Sequence, residues 1–541
     1  MVGTKVLNME KGKSAEQLAK EQREVSVSEF FERNRHLLGY DNPTKALLTV
    51  IKELVDNSLD SAEDHRVLPR IWVVAKPKGV DRFKIMVKDN GPGMVDKQIP
   101  LAFGKLLYGS RFYKLMMTRG QQGLGASGAI LYSQLTTGKP TTIISSTGDG
   151  KTSFYELMID IKTNEPEIIS HQVINDGKIW HGLKIEMEIE GKYIRGERSV
   201  LEYLKETAIA NPYADITFQG PDGKIEFKRG ANKLPKLPKE IKPHPYGIEL
   251  GILKRMLNMT RAKTLLSFLT NDFSRVGKTS AKQICKVSGL NPNLDPHKIE
   301  NHEAEKLFRA MKKVKLLRPP TDCLSPLGED LLLKGLQKEI NAEFFAAVTR
   351  PPAVYRGNPF QVECGIAYGG EIAPEGSVKI MRFSNKVPLL YQSGDCAITK
   401  AVATTDWSRY GLKQSKNSVP VGPAIILVHF ASVWVPFISE SKQALAAYPA
   451  IMKEIKLALQ ELGRKLSHYL AGKRRREYHI KRKKIFERYI PVVAESLSHM
   501  TKVNEEKIKL KLEKIAEEKT GVVNEQGDSE EINQSSTQNS E

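Results

Sequence analysis

Residues 52–64 read KELVDNSLDSAED, inside a longer helical pattern, TKALLTVIKELVDNSLDSAEDH, over residues 44–65. Leu47, Leu48, Ile51, Leu54, Val55 and Ala62 recur at helical spacing and form one apolar stripe. The opposite side carries Glu53, Asn57, Asp60 and Asp64, with Asp56 at its edge. Residues three and four apart are neighbours on a helix surface, so this is a continuous acidic face. No Lys or Arg shares it. Like charges at this spacing cost a few tenths of a kcal/mol per pair, and a mid-helix Asn adds a further small penalty. The face therefore asks for a cation from outside the helix.

Outward from the helix, two alternating runs, RIWVVAK and RFKIMVKD, flank the turn-like PKGVD and predict a β-hairpin. The second run ends at Asp89, after which the chain turns through Asn90-Gly91-Pro92-Gly93. Asn-Gly and Pro-Gly are common turn dipeptides, so this stretch alone is also compatible with an ordinary turn. A glycine-rich stretch follows, RGQQGLGASGAI (119–130). Its glycines let backbone N–H groups approach a phosphate, and a helix beginning there aims its N-terminus at the same anion. The literal GxGxxG from Gly123 to Gly128 is not a dinucleotide fingerprint, because FYKLMMTR before it does not read as a strand. VGKTS (276–280) fails as a P-loop, since Asp272 stands where the first glycine is needed; Gly277 fits a turn between helices.

Further strands are expected at TTIISST, SFYELMIDI and GLKIEMEIE, then at VECGIAYGG, SVKIMRFS and AIILVHFAS. Residues 229–245, with four prolines and many lysines, mark a boundary. Helical patterns dominate 247–346, and again from Glu440 to about 518 with a break at Pro449. Hairpins with helices between them predict an α+β multidomain protein. A chain of 541 residues has room for roughly three or four domains. A net charge of +20 favours a polyanionic partner, nucleic acid first. Cys285, Cys323, Cys364 and Cys396 form no CxxC, which argues against a zinc site or disulfide framework. The polar N-terminus and the interrupted apolar run 423–437 predict neither a signal peptide nor a membrane span, so a soluble cytoplasmic protein is expected.

In order, then, an acid–Asn helix face, Asp-x-Gly-x-Gly after a strand, and a GxxGxG loop before a helix fall between residues 53 and 130. This set resembles the GHKL ATPase family of gyrases, mismatch-repair ATPases, heat-shock chaperones and histidine kinases. The resemblance implies a Bergerat-type α/β sandwich that binds ATP with Mg²⁺. It makes Glu53 the general base and Asn57 the Mg²⁺ ligand, so that the missing cation of the acidic face arrives with ATP. Asp89 would accept a hydrogen bond from the adenine amino group, and Gly91 and Gly93 would let the chain pass beside the base. Gly120, Gln121, Gln122, Gly123, Leu124, Gly125, Ala126 and Ser127 would form the lid over the phosphates. The chemistry agrees: attack on a γ-phosphoryl group needs a positioned water, a neutralising metal and donors for developing charge. Asp56 and Asp60 are expected to support the site, and Asp64 to be a solvated helix end.

FFERNRHLLGYDNP (30–43), TRGQQGLGASGAILYSQLTTGKP (118–140), TTDWSRYGLKQS (404–415) and VPFISESK (435–442) extend the match, which resembles the ATPase (B) subunits of archaeal type IIB topoisomerases. The family implies an N-terminal arm or strap (1–28), the GHKL domain (29–230) and a helix-two-turn-helix domain (231–320). A transducer (321–490), a C-terminal helix (491–520) and a disordered tail (521–541) follow. Ser110 and Arg111 would also touch nucleotide. Lys442, read as opening a long helix, would reach the γ-phosphate. Implied partners are a second copy of the ATPase subunit, a DNA-cleaving topoisomerase VI A subunit in an A2B2 heterotetramer, and double-stranded DNA. Three features could meet DNA. Arg195 and Arg198 lie in YIRGERSV, where Glu197 replaces a family Arg. Trp407 and Arg409 lie in WSRY, which matches a WKxY-type motif; core packing is the competing reading for Trp407. The third is 464–488, eleven Lys/Arg against two Glu, including Arg474, Arg475 and Arg476. An ATP-driven chaperone and a non-enzymatic architectural DNA-binding protein are rivals; the basic features argue against the first, the ordered nucleotide motifs against the second.

Overall fold

A computed structural model describes residues 15–16, 19, 25–109, 114–120, 123–175, 177, 179–439 and 442–520. The chain divides into two compact units. The first runs through Thr405 and resumes over Lys416–Leu459; the second is Asp406–Ser415 with the chain from Gln460 onward.

The first unit opens with helix α1 (Val27–Arg33), capped by Ser26, whose hydroxyl accepts from the Glu29 N–H. Helix α2 (Pro43–Asp64) is the opening stretch of the sequence analysis. Asn42 caps it by accepting from the Lys45 N–H, and Pro43 occupies its first turn, where a missing N–H costs nothing. Its apolar stripe is fully buried, Val50, Ile51, Val55, Leu59 and Ala62 each being 0% exposed. The hairpin is present as β1 (Arg70–Gly79) and β2 (Arg82–Lys88), in antiparallel register Val73↔Val87 and Ala75↔Ile85. Ile71, Val73 and Ala75 alternate inward against Phe83, Ile85 and Val87. Helix α3 (Ile99–Gly104) and helix α4 (Gly125–Thr137) follow. Then come β3 (Thr141–Thr147), β4 (Lys151–Asp160), β5 (Glu165–Asn175) and β6 (His181–Glu190). Helix α5 (Val200–Ala210), β7 (Asp215–Gly220) and β8 (Gly223–Phe227) complete the layer.

The eight strands form one sheet in the order β5-β4-β3-β6-β2-β1-β7-β8. All neighbours are antiparallel except β1 and β7. Residues of α2, α4 and α5 share one core with the inner face of this sheet, giving the helix-on-sheet sandwich.

Four helices come next: α6 (Leu250–Met259), α7 (Leu265–Asp272), α8 (Lys278–Ser288) and α9 (Asn301–Lys313). They enclose their own core around Leu253, Leu265, Phe268, Ile284 and Leu307, each 0% exposed. Gly277 is the N-cap of α8, a turn glycine as its sequence context indicated. Helix α10 (Gly328–Glu339) leads into a second sheet of β9 (Phe344–Thr349), β10 (Ala353–Tyr355), β11 (Asn358–Tyr368), β12 (Lys379–Ser384), β13 (Val387–Pro388) and β14 (Ala424–Ser432). Its order is β10-β11-β14-β12-β13, with β9 also on β11, and β12 and β14 run parallel. Helix α11 (Ala397–Thr404) lies between β13 and β14.

Helix α12 (Pro449–Thr501) begins at Pro449 and continues through Pro491; α13 (Glu505–Thr520) follows it. The helical pattern expected from Glu440 is therefore absent over residues 442–448 and starts at a proline well suited to a first turn. Among the described residues, no helix is long and apolar enough to cross a membrane. The expected disordered tail and most of the expected strap lie outside the described residues.

Candidate nucleotide site

The sandwich holds a cavity of about 690 Å³ between α2, the turn after β2, and the segment leading into α4. Glu53, Asn57, Asp89, Gly120, Gly123 and Lys442 all line it. Glu53 and Asn57 point the same way because they are one helical turn apart.

Asp89 is 4% exposed and held from three sides. Its Oδ1 accepts from the backbone N–H of Gly91 at 2.9 Å and of Leu183 at 3.1 Å, and its Oδ2 accepts from the Ser58 hydroxyl at 2.9 Å. Burial pushes the Asp89 carboxyl above its ordinary range, and these donors only partly offset that. Gly91 is needed because a Cβ there would lie 2.7 Å from Ser61 Oγ. Gly93 has φ +74° and a Cβ there would enter the Ser146 carbonyl, so both demands exclude a side chain.

The glycine loop approaches the acidic helix from the other side. A Cβ on Gly120 would be 3.5 Å from Asn57 Oδ1, and one on Gly125 would collide with Glu53 Oε2. Gly123 adopts φ +62° against the Tyr108 carbonyl. Leu124, the N-cap of α4, gives it no side-chain cap, so no side chain occupies the cap position over Gly125, Ala126 and Ser127. Such a helix start, its first N–H groups uncapped by a side chain, is suited to an anion.

The acidic face has cations that its sequence did not announce. Lys52 Nζ lies 3.0 Å from Glu53 Oε1 and 3.3 Å from Asp56 Oδ2. Asp56 also accepts from the Tyr203 hydroxyl at 2.9 Å. Arg119, immediately before the lid, donates to Asp60 at 2.6 Å and also pairs with Glu63 and Asn211. Lys386, from the second sheet, reaches Glu63 at 2.9 Å. The reading that the face waits only for an external metal is thus corrected. Asp60 and Glu63 are neutralised by Arg119 and Lys386, while Glu53 and Asn57 face the cavity. Asp64 also lines the cavity and is exposed. Burial raises the Glu53 carboxyl, but Lys52 and then Lys442 outweigh it and hold the group below its ordinary range.

Lys442 does not open a helix. It sits seven residues before Pro449 in a left-handed conformation, φ +54°, with its N–H donating to Ser439 O at 3.0 Å. Ile438 N donates to Ala444 O at 2.9 Å, so the lysine lies in a tight reversal after β14. A non-glycine residue at positive φ is uncommon, and such strain collects at functional sites. Ser110, Arg111, Gln121 and Gln122 lie outside the described residues.

Arg195 and Arg198 are not among the residues that line this cavity. Arg195 is 83% exposed at its side chain but bonded to Asp222, Nε to Oδ1 at 2.8 Å. Arg198, φ +63°, stacks 5.6 Å over the Tyr391 ring. In the second unit, Trp407 to Tyr410 form one 3-10 turn, and Arg409 pairs with Asp406 at 2.8 Å. Trp407 is 0% exposed, and its backbone N–H donates to Gln414 Oε1. A fully buried indole offers no face to DNA, so the DNA contact expected of Trp407 is withdrawn in favour of core packing. Arg474, Arg475 and Arg476 are exposed on α12. Lys52, Ser58, Arg119, Tyr203 and Lys386 were missed by sequence reasoning. Lys52 alone carried a local signal, four residues before Asp56.

Two family models match the chain: "Histidine kinase-, DNA gyrase B-, and HSP90-like ATPase" over residues 42–162, and "Topoisomerase VI B subunit, transducer" over 319–483. The type 2 DNA topoisomerase 6 B subunit of Methanosarcina barkeri is 52% identical over 473 residues, 86% of this chain and 76% of that protein. That of Archaeoglobus fulgidus is 48% identical over 515 residues, 92% of this chain and 85% of its own length. The Pyrococcus furiosus protein of the same name is 40% identical over 560 residues, 94% of this chain and 97% of its own. With a GHKL-type ATPase sandwich followed by a topoisomerase VI transducer, and with these identities over most of its length, the chain belongs to the family of type 2 DNA topoisomerase 6 B subunits.

Proposed function

We propose that the chain is the ATP-binding and hydrolysing subunit of a type IIB DNA topoisomerase. One observation carries this reading: Glu53, Asn57, Asp89, Gly120, the stretch from Gly123 to Ser127 and the distant Lys442 converge on a single cavity. Asp89, buried and held by three donors, presents a fixed acceptor for the adenine amino group. The uncapped start of α4 and the amine of Lys442 receive the phosphates. Glu53, ionised at neutral pH because Lys52 and Lys442 hold its carboxyl low, takes a proton from the water that attacks the γ-phosphorus.

Mg²⁺ fits the donor set. Asn57 Oδ1 is a hard, neutral oxygen on the cavity wall, and Mg²⁺ takes most of its other ligands from phosphates and water. No cluster of three or more acidic, His or Cys side chains that could hold a metal occurs among the described residues, so Asn57 would hold it with the nucleotide. When bound, the metal would neutralise the β- and γ-phosphate oxygens.

The finer parts of the reading follow the same logic. Two copies would close through their N-terminal straps when ATP orders the lids. Lys442 would transmit the presence of the γ-phosphate to the second sheet, and α12 would pass the motion to a DNA-cleaving A subunit in an A2B2 assembly in the cytoplasm. Arg195, Arg198, Arg409, Arg474, Arg475 and Arg476 would contact phosphates of duplex DNA rather than read bases. The test is ATP turnover by the purified chain with and without duplex DNA, and plasmid relaxation by the chain alone and with an A subunit. DNA-stimulated turnover, with relaxation only in the presence of the A subunit, is the expected result. Relaxation by the chain alone would overturn the subunit reading, and turnover indifferent to DNA would favour a chaperone.

A further inference from the structure

The hairpin between β12 and β13 turns through two residues, Asn385 and Lys386, with φ +47° and +69°. Both central residues at positive φ define a type I′ turn, where Asn-Gly is the favoured pair. Here the second position is a lysine, and the lysine is 3% exposed. A bulky residue in a conformation made for glycine, and an ammonium group removed from water, are two separate costs. Both fall on one residue that could have been Gly.

What the turn touches gives the reason. Its backbone belongs to the second sheet: Asn385 N donates to Phe430 O at 2.9 Å, and Lys386 N donates to His429 Nε2 at 3.0 Å. His429 is in turn bound to Glu363 at 2.7 Å. The side chains point the other way. Lys386 Nζ reaches Glu63 near the end of α2, the helix that bears Glu53 and Asn57. Asn385 Nδ2 donates to the carbonyl of Thr118 at 3.1 Å, two residues before the lid begins. The same amide exchanges bonds with Ser432, the last residue of β14, accepting from its N–H at 2.9 Å and donating to its carbonyl at 3.0 Å. The chain leaving β14 at Ser432 becomes the Lys442 reversal ten residues later. Asn385, Thr118, Arg119, Phe437 and Lys442 line one small crevice.

We propose that the Asn385–Lys386 turn is a positioning element for hydrolysis, registering the Lys442 loop against the base of the lid and the helix of Glu53. This rests on the ATPase reading of the cavity. The turn touches neither the cavity's nucleotide face nor Glu53, so its loss should leave binding in place. What it sets is where the γ-phosphate lysine stands relative to the base, a geometric condition on the chemical step.

The experiment uses the full chain with Lys386→Met, Lys386→Arg and Asn385→Gly. Asn385→Gly keeps a sequence suited to positive φ while deleting the bonds to Thr118 and Ser432. For each, the affinity for a non-hydrolysable ATP analogue with Mg²⁺ is measured by calorimetry, alongside kcat, KM and the melting temperature. Lys386→Met and Asn385→Gly are expected to bind the analogue within about threefold of the unaltered chain while kcat falls roughly 10- to 100-fold. Lys386→Arg, which keeps the charge on Glu63, should recover most of the rate. An unchanged kcat in folded Asn385→Gly or Lys386→Met would overturn the proposal. So would parallel losses of binding and kcat that arginine does not rescue. If Lys386→Met does not fold, Asn385→Gly decides. If the unaltered chain itself hydrolyses no ATP, the ATPase reading fails; if it hydrolyses ATP and the variants match it, only the positioning role fails.

Discussion

Gly125→Ala separates stability from catalysis at a single atom. Gly125 opens α4, and its φ is not in the left-handed region, so an alanine meets no backbone strain. Replacing Gly by Ala where the backbone allows it stabilises by about 0.4–1 kcal/mol, mainly by restricting the unfolded chain. The added methyl, however, lands on Glu53 Oε2 and also lies 3.1 Å from its Cδ and 3.4 Å from its Cβ. Relief comes cheaply, because the carboxylate is the far end of a flexible side chain. The carboxylate must withdraw on the order of 1 Å from its place beside Lys52, and a 1 Å misplacement of a catalytic group costs roughly 100-fold in rate. That is about 2.7 kcal/mol of activation free energy. The prediction is a variant that melts at or above the temperature of the parent, binds an ATP analogue normally and turns over ATP about 100-fold more slowly. Thermal melting, calorimetry and steady-state ATPase assays read the three quantities. A variant with kcat within twofold of the parent would refute the placement of Glu53 as the base under the lid.

Other outcomes follow from the same geometry. Asn57→Ala should bind nucleotide equally with and without Mg²⁺; a metal-dependent affinity that survives in the variant would count against Asn57 as the ligand. Burial pushes the Glu63 carboxyl up, but Arg119 and then Lys386 reverse this and bring it to about 2, against an ordinary 4.5. A carboxyl lowered on folding stabilises above its unfolded pKa and loses that contribution as pH falls through the folded value, so Glu63 should contribute on the order of 3 kcal/mol at neutral pH that erodes between pH 4.5 and about 2. Glu63→Gln should therefore be less stable at pH 7 and show a shallower loss on acidification, and identical acid-melting profiles would contradict this. Neutralising Arg474, Arg475 and Arg476 together should flatten the salt dependence of DNA affinity by roughly 0.9 per lost phosphate contact, and an unchanged slope would assign that face of α12 to solvent or a protein partner.

Features encoded over short distances were legible in the sequence. The Asn42-Pro43 start and apolar stripe of α2, the β1–β2 hairpin and the glycine loop each follow from local capping, alternation or backbone freedom. Strand β5 was not legible, because EPEIISHQVIN is mostly exposed and shows no inward alternation. Strand β9 follows closely on α10 and reads as an extension of it. The cations of the acidic face were hidden for a different reason: Arg119 lies 56 and Lys386 323 residues from Glu63 in the chain, and no local pattern announces such pairs. The placement of Lys442 failed because Pro449, rather than the run of helix formers before it, sets the start of α12. Trp407 shows the limit of motif reasoning, since an aromatic beside an arginine serves a core as well as a DNA backbone.

The most direct test of the account is Glu53→Ala in the full chain, measuring ATP-analogue affinity and ATP turnover on the same preparation. The predicted result is affinity close to that of the parent, with turnover lower by about two to four orders of magnitude. Turnover at the parent's rate would contradict the account at its centre.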